Sequence, residues 1–204
     1  MTQRMQELAS EIVRLQGELD REIEARRKFL GVRIRARIVE FEHGITMEHR
    51  RVRAGVAGFL AKSSIATVLS APVIYSLIVP MVLVDLWASL YQQVCFRAYG
   101  IPRVKRSAYI LLDRRHLAYL NGIEKLNCLY CGYCNGVIGY VREIGSRTEQ
   151  YWCPIKHALR LQDPHRRYYE FLGFGDAGGY RARLAEFRAR LREPDAADEP
   201  PPLP

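Results

Sequence analysis

The sequence lacks most of the patterns that would assign a chemistry outright. Its opening, MTQRMQELASEIVRLQGELD, has neither the continuous apolar core nor the small-residue cleavage site of a signal peptide, so export is not expected. No Ser-His-acid arrangement or paired-carboxylate site can be assigned, and the chain reads as non-catalytic; His116 and His165 read as surface or helix-end histidines. Five cysteines is an odd number, with three of them between 128 and 134, which argues against a secreted disulfide framework and for a reducing compartment. Charge is also missing from one long stretch, Ser63 to Val84.

What is present is basic and apolar. The 204 residues carry a formal charge of +9, and 49% are hydrophobic, enough for one domain with extensions, as a packed core or as a membrane segment. Such charge suits an acidic partner. Its clustering beside an apolar run favours an anionic lipid surface, while the arginines and Tyr168 or Tyr169 form no recognisable nucleic-acid-binding module.

The spacing predicts a mainly α protein. Residues 1–30 read as a coiled-coil-like helix, with Met5, Leu8, Ile12, Leu15 and Leu19 on one stripe and Arg14, Glu18, Arg21, Glu22 and Arg26 on its flanks, suited to self-association or packing. Residues 31–53 form a basic linker. There Val32 to Ile38 alternates apolar and basic residues, as a half-buried strand or as a helix interrupted at Gly31, with Gly44 a further break.

Residues 54–98 read as the membrane-associated segment. As a helix, Ser63 to Val84 would extend about 33 Å, comparable with a bilayer's hydrocarbon core, although Pro72 and Pro80 interrupt it. Basic residues flank both ends, Arg50, Arg51 and Arg53 before and Arg97, Arg103, Lys105 and Arg106 after, which argues for a helical hairpin with both flanks cytoplasmic. A single span and a buried soluble helix pair are the alternatives. Asp85 reads as an interfacial or hydrogen-bonded structural carboxylate, with Lys62 a possible partner, rather than as part of a proton path. Cys95 reads as a packing residue, with acylation a minor alternative.

Residues 99–193 read as a cytoplasmic, Cys-rich domain. The expected elements are a short strand at Tyr109–Leu112, a helix capped by Asp113 and running to Leu126, a helical stretch over Val137–Gln150, another helix from Pro154 and a last one over Tyr180–Glu193. Gly173-Phe174-Gly175-Asp176-Ala177-Gly178 matches a dinucleotide fingerprint in letters, yet no second strand can follow it, so it reads as a loop entering a helix. The tail 194–204 is disordered by composition.

The chemistry, if any, lies in the thiols. Cys128, Cys131 and Cys134 are spaced so that one tight turn, eased by Gly132 and Gly136, would aim several sulfurs at a common centre, with Cys153 as fourth ligand and His157 as alternative fourth ligand. Zinc is the expected metal. The Cys-x2-Cys-x2-Cys run with a separate Cys-Pro also resembles the cluster-binding pattern of bacterial ferredoxins, which would imply a 4Fe-4S cluster and electron transfer, although here the Cys-Pro lies a helix length away. NCLYCGYCNG followed by RTEQYWCPIKHA is similar to a pattern in small bacterial proteins with an upstream apolar stretch. That resemblance covers about the middle two-thirds of the chain and implies a bacterial membrane-associated protein without supplying an activity.

Overall fold

The structure, a computed structural model, describes residues 3–29, 32–35, 38–41 and 43–192. The chain is mainly helical and divides into two compact units. Of the described residues, those up to Lys62 and Asp113–Leu126 form one, and Ser63–Leu112 with Asn127–Arg192 form the other. The expected disordered tail lies outside the described residues.

In the first unit, α1 (Gln3–Phe29) is the amphipathic helix that the spacing predicts. Arg14 pairs with Glu11 and Glu18 on its flank, while Leu8, Leu15, Leu19 and Ile23 remain exposed. The stretch whose type was open in the sequence is a strand: β1 (Val32–Arg35) pairs antiparallel with β2 (Ile38–Phe41), Val32 opposite Phe41 and Arg35 opposite Ile38. Two short helices follow, α2 (His43–Arg51), which contains Gly44 rather than breaking there, and α3 (Val56–Lys62). A 3₁₀ turn occupies Asp113–His116, and the His49 and Tyr119 rings meet edge to face at 5.2 Å.

The second unit opens with one continuous helical run, Ile65–Tyr99, in place of the expected hairpin. Ser64 caps it by accepting from the Thr67 N–H, 3.1 Å. The run consists of α4 (Ile65–Ser76), a single turn residue Leu77, α5 (Ile78–Tyr91), a π-helical turn (Gln92–Phe96) and α6 (Arg97–Tyr99). Pro80 explains the interruption at Leu77: its ring excludes the carbonyl four residues back, that of Ser76, and it removes a donor. Leu77 keeps right-handed dihedrals, φ −62 and ψ −16, so the helix is interrupted without reversing. The run ends in a Schellman motif. Gly100 adopts φ 67, its N–H donates to Arg97 O and the Ile101 N–H donates to Phe96 O at 2.8 Å, with Phe96 and Ile101 packed in the core.

Beyond α7 (Arg106–Tyr109), Ile110 is extended and residues 110–112 join no strand among the described residues, so the expected strand is replaced by a lone segment. The next helix, α8, is 31 residues long, Gly122–Trp152. It starts at Asn121 rather than Asp113, because Asn121 Oδ1 accepts from the N–H groups of Ile123 and Glu124 while Glu124 returns a carboxylate to the Asn121 N–H. No helix begins at Pro154. Residues 153–165 are irregular, Ile155 bridges to Leu172, and a 3₁₀ helix covers Arg166–Glu170. The last helix, α9 (Ala177–Arg190), is capped by Asp176, so the fingerprint-like loop is a helix entrance. Two cores result: Phe96, Ile101, Val104, Tyr140, Ile144 and Leu191 in one, Tyr168, Phe171, Leu172 and Phe187 in the other.

Candidate functional site

The cysteines do not form the turn that their spacing suggests. Cys128, Cys131 and Cys134 lie within α8, and Cys153 follows its last residue. At 1.5 Å per helical residue, Cys153 is about 28 Å along the axis from Cys134 and about 37 Å from Cys128. No rotamer spans that. Cys134 is buried, Cys128 half-buried, and Cys131 and Cys153 exposed. His157 does not share a helix face with Cys153; its ring stacks on Tyr168, and its N–H donates to the Tyr168 hydroxyl at 2.7 Å. The structure therefore does not bring Cys128, Cys131, Cys134 and Cys153 together as the expected four-thiolate shell, nor Cys153 and His157 to Cys128 and Cys131, for zinc or for a 4Fe-4S cluster. Among the described residues no three His, Cys, Asp or Glu side chains gather as a metal site.

The glycines of the same stretch have a different use. Gly132, Gly136 and Gly139 line a groove on α8 that receives the extended segment. A Cβ on Gly136 would lie 2.8 Å from both Tyr109 O and Ile110 Cα, one on Gly132 would lie 3.1 Å from Leu111 O, and one on Gly139 would lie 3.3 Å from the Tyr109 ring. The backbone approaches so closely that only glycine fits at 136.

Polar groups of the apolar helix turn toward α8 and its neighbours. Asp85, 5% exposed, accepts two hydrogen bonds from Arg106 Nε, 2.9 and 3.1 Å, one from Arg106 Nη2, 2.6 Å, and one from the Tyr133 hydroxyl, 2.9 Å. Its partner is thus Arg106, not Lys62, and the structural reading of this carboxylate holds. The Tyr75 hydroxyl donates to Asn127, and the Tyr130 hydroxyl donates to Ile74 O at 2.6 Å. Gln92, aimed inward from the π-helical turn, donates to the Tyr140 hydroxyl and accepts from the Val104 N–H at 2.9 Å. Contacts that advance together from Tyr75–Asn127 to Tyr91–Thr148 show the two helices running parallel.

The outer face of the helical run is uncovered. No residue of its most apolar window is buried, and Leu69, Val73, Leu83, Leu86 and Trp87 are exposed, Trp87 at 74%. Its hydroxyls are internally satisfied: Ser70 donates to Thr67 O and Ser76 to Val73 O. An open apolar groove of about 760 Å³ continues this surface, lined among others by Leu83, Trp87, Tyr91, Ile144 and Trp152. By length and composition this is one helix able to cross a bilayer.

Further along α8 a second polar cluster ties the C-terminal region down. Arg147, 1% exposed, donates to Glu143 and to Pro102 O, both 2.8 Å, and Arg167 donates to the same carboxylate at 2.6 Å. His165 is a helix-end residue, as its sequence setting suggests. Its Nδ1 accepts from the Tyr168 N–H at 3.1 Å, which leaves Nε2 protonated and donating to Glu149 at 2.8 Å. Both ring nitrogens are thus engaged in holding the 3₁₀ helix. The sequence reading missed Arg106, Tyr133 and Arg147; the one local clue was the Asn121-x-x-Glu124 capping box, which marks where α8 starts.

No family model, curated protein or solved structure matches this chain.

Proposed function

We propose that this protein is a non-catalytic, membrane-associated assembly or scaffold protein held at the inner membrane by the Ile65–Tyr99 helix. The observation that carries this reading is the uncovered apolar surface of that helix, on which 0% of the most hydrophobic window is buried. A contiguous patch of this kind is rare on a soluble monomer. Arg97 in its last turn and Arg103 and Lys105 beyond it suit anionic headgroups on the cytoplasmic side. The exposed Leu8, Leu15 and Leu19 stripe of α1 suits pairing with a second copy. Zinc or an iron-sulfur cluster would need ligands that the described residues do not bring to Cys128 and Cys131, so metal binding is no part of the proposal.

The test is extraction of membranes from cells expressing the full chain. The protein should stay with the pellet in alkaline carbonate and enter the supernatant only in detergent. Quantitative release by carbonate or by high salt would overturn the reading.

A further inference from the structure

The stretch that holds the cysteines has a property its motif conceals. From Leu126 to Val141, sixteen residues, α8 carries no charge, and the first charges on either side are Lys125 and Arg142. As helix this is about 24 Å, most of a hydrocarbon core. It also runs beside the uncharged part of the Ile65–Tyr99 helix, with contacts from Ile74 and Tyr75 at one end to Ser89 and Gln92 at the other.

Polar side chains in the stretch, Asn135 excepted, are turned toward the neighbouring helix or its flanking segments. Asn127 accepts from Tyr75, Tyr130 donates to Ile74 O, Tyr133 donates to Asp85, and Tyr140 is bonded to Gln92 and lies 3.2 Å from Ser89 Oγ. Asn135, which faces outward, donates its amide to Cys131 O at 2.9 Å in its own helix. Every hydroxyl and amide side chain from Leu126 to Val141 therefore makes at least one hydrogen bond within the protein. That is the condition hydrocarbon imposes and water does not. What faces outward, at helical steps of four and three, is Cys131, the self-bonded Asn135 and Ile138.

We propose that this face of α8 is a second lipid-contacting surface, so that the cysteine stretch lies within the hydrocarbon layer beside the first helix rather than in a cytoplasmic domain. The occupant is the acyl region of the bilayer. The inference rests on the membrane reading above. The uncharged segment Ser107–Leu112 returns along α8 at the same level, with the carbonyls of Tyr109 and Leu111 turned to the glycine groove, which is how extended backbone survives at depth. The Asp85–Arg106 pair neutralises the two charges that go with it.

Native thiols supply the probes, because Cys131 and Cys153 are both exposed yet belong to different media under this proposal. Two variants, each keeping one of these cysteines and carrying alanine at the other four, are spin-labelled and reconstituted in liposomes containing anionic phospholipid. Collision rates with oxygen and with a water-soluble nickel chelate are then read. The oxygen-to-nickel ratio should be several-fold higher at Cys131 than at Cys153. A nickel-favoured Cys131 would overturn the proposal, and so would low access to both reagents, which would mean protein covers that face. If the variants do not fold, wild-type membranes treated with a membrane-impermeant maleimide decide the matter: Cys153 modified and Cys131 spared until denaturation supports the proposal, equal modification sinks it. Protein that resists carbonate while Cys131 labels freely removes this inference alone; protein that carbonate releases removes the membrane reading as well.

Discussion

Gly136 shows how one residue type can be read correctly and explained wrongly. The sequence marks Gly132 and Gly136 as positions of unusual backbone freedom, as a metal turn would require; in the structure both lie in a regular α-helix, and what requires glycine is the backbone lying across them. This gives a graded expectation. Gly136→Ala forces a Cβ to within 2.8 Å of a carbonyl and a Cα, and should destabilise by about 1–3 kcal/mol. Gly145→Ala, on the same helix with nothing within 4 Å, should be neutral or add about 0.5–1 kcal/mol through helix propensity. Denaturant unfolding in detergent, followed by circular dichroism, checks both; equal effects would remove the groove as the cause. Asp85 is the converse case, its structural role legible in the sequence but its partner not, because Arg106 is brought to it by the chain reversal after Gly100.

Among elements, the amphipathic α1 and the apolar run were legible because periodicity and the absence of charge are local properties. α9 was legible for the same reason, down to Phe187 on its buried face. The long α8 was not. Its cysteines and glycines have poor helix propensity and a strong association with metal turns, whereas the forces that keep it helical are a capping box at Asn121 and contacts with residues 74–112 that no local window contains. Two strands and the end of the hairpin model have similar origins, one set by pairing, the other by a proline that interrupts without reversing. Because ligand assembly is not what holds α8, chelation should not melt it. Complete removal of metal by a strong chelator is expected to leave the helical circular dichroism and the proteolytic pattern beyond Asp113 unchanged; loss of helicity on chelation, restored by zinc, would reinstate a metal-held element.

For the whole molecule, the two compact units present two kinds of uncovered apolar surface, a narrow stripe on α1 and a broad one along Ile65–Tyr99. They suit different partners. A stripe of Leu8, Leu15 and Leu19, at steps of seven and four, is too narrow for a bilayer and has the form of a helix-pairing seam. Leu15→Asp should therefore lower the mass of the detergent-solubilised protein, measured by light scattering, from that of an oligomer to that of one chain, while leaving carbonate resistance intact. A wild-type protein already of single-chain mass would remove self-association from the proposal. A substitution that instead frees the chain from membranes would show that the two surfaces act as one.

The glycine groove also sets an order in time. Tyr109, Ile110 and Leu111 leave the ribosome about thirty residues before Gly139, an interval of roughly 2–6 s at ordinary rates of about 5–20 residues per second. For those seconds the apolar segment has been made and its seat has not. Synthesis therefore passes through a stage in which the first helix is complete and the return segment is exposed, and the last glycine of the groove, Gly139, is what ends it.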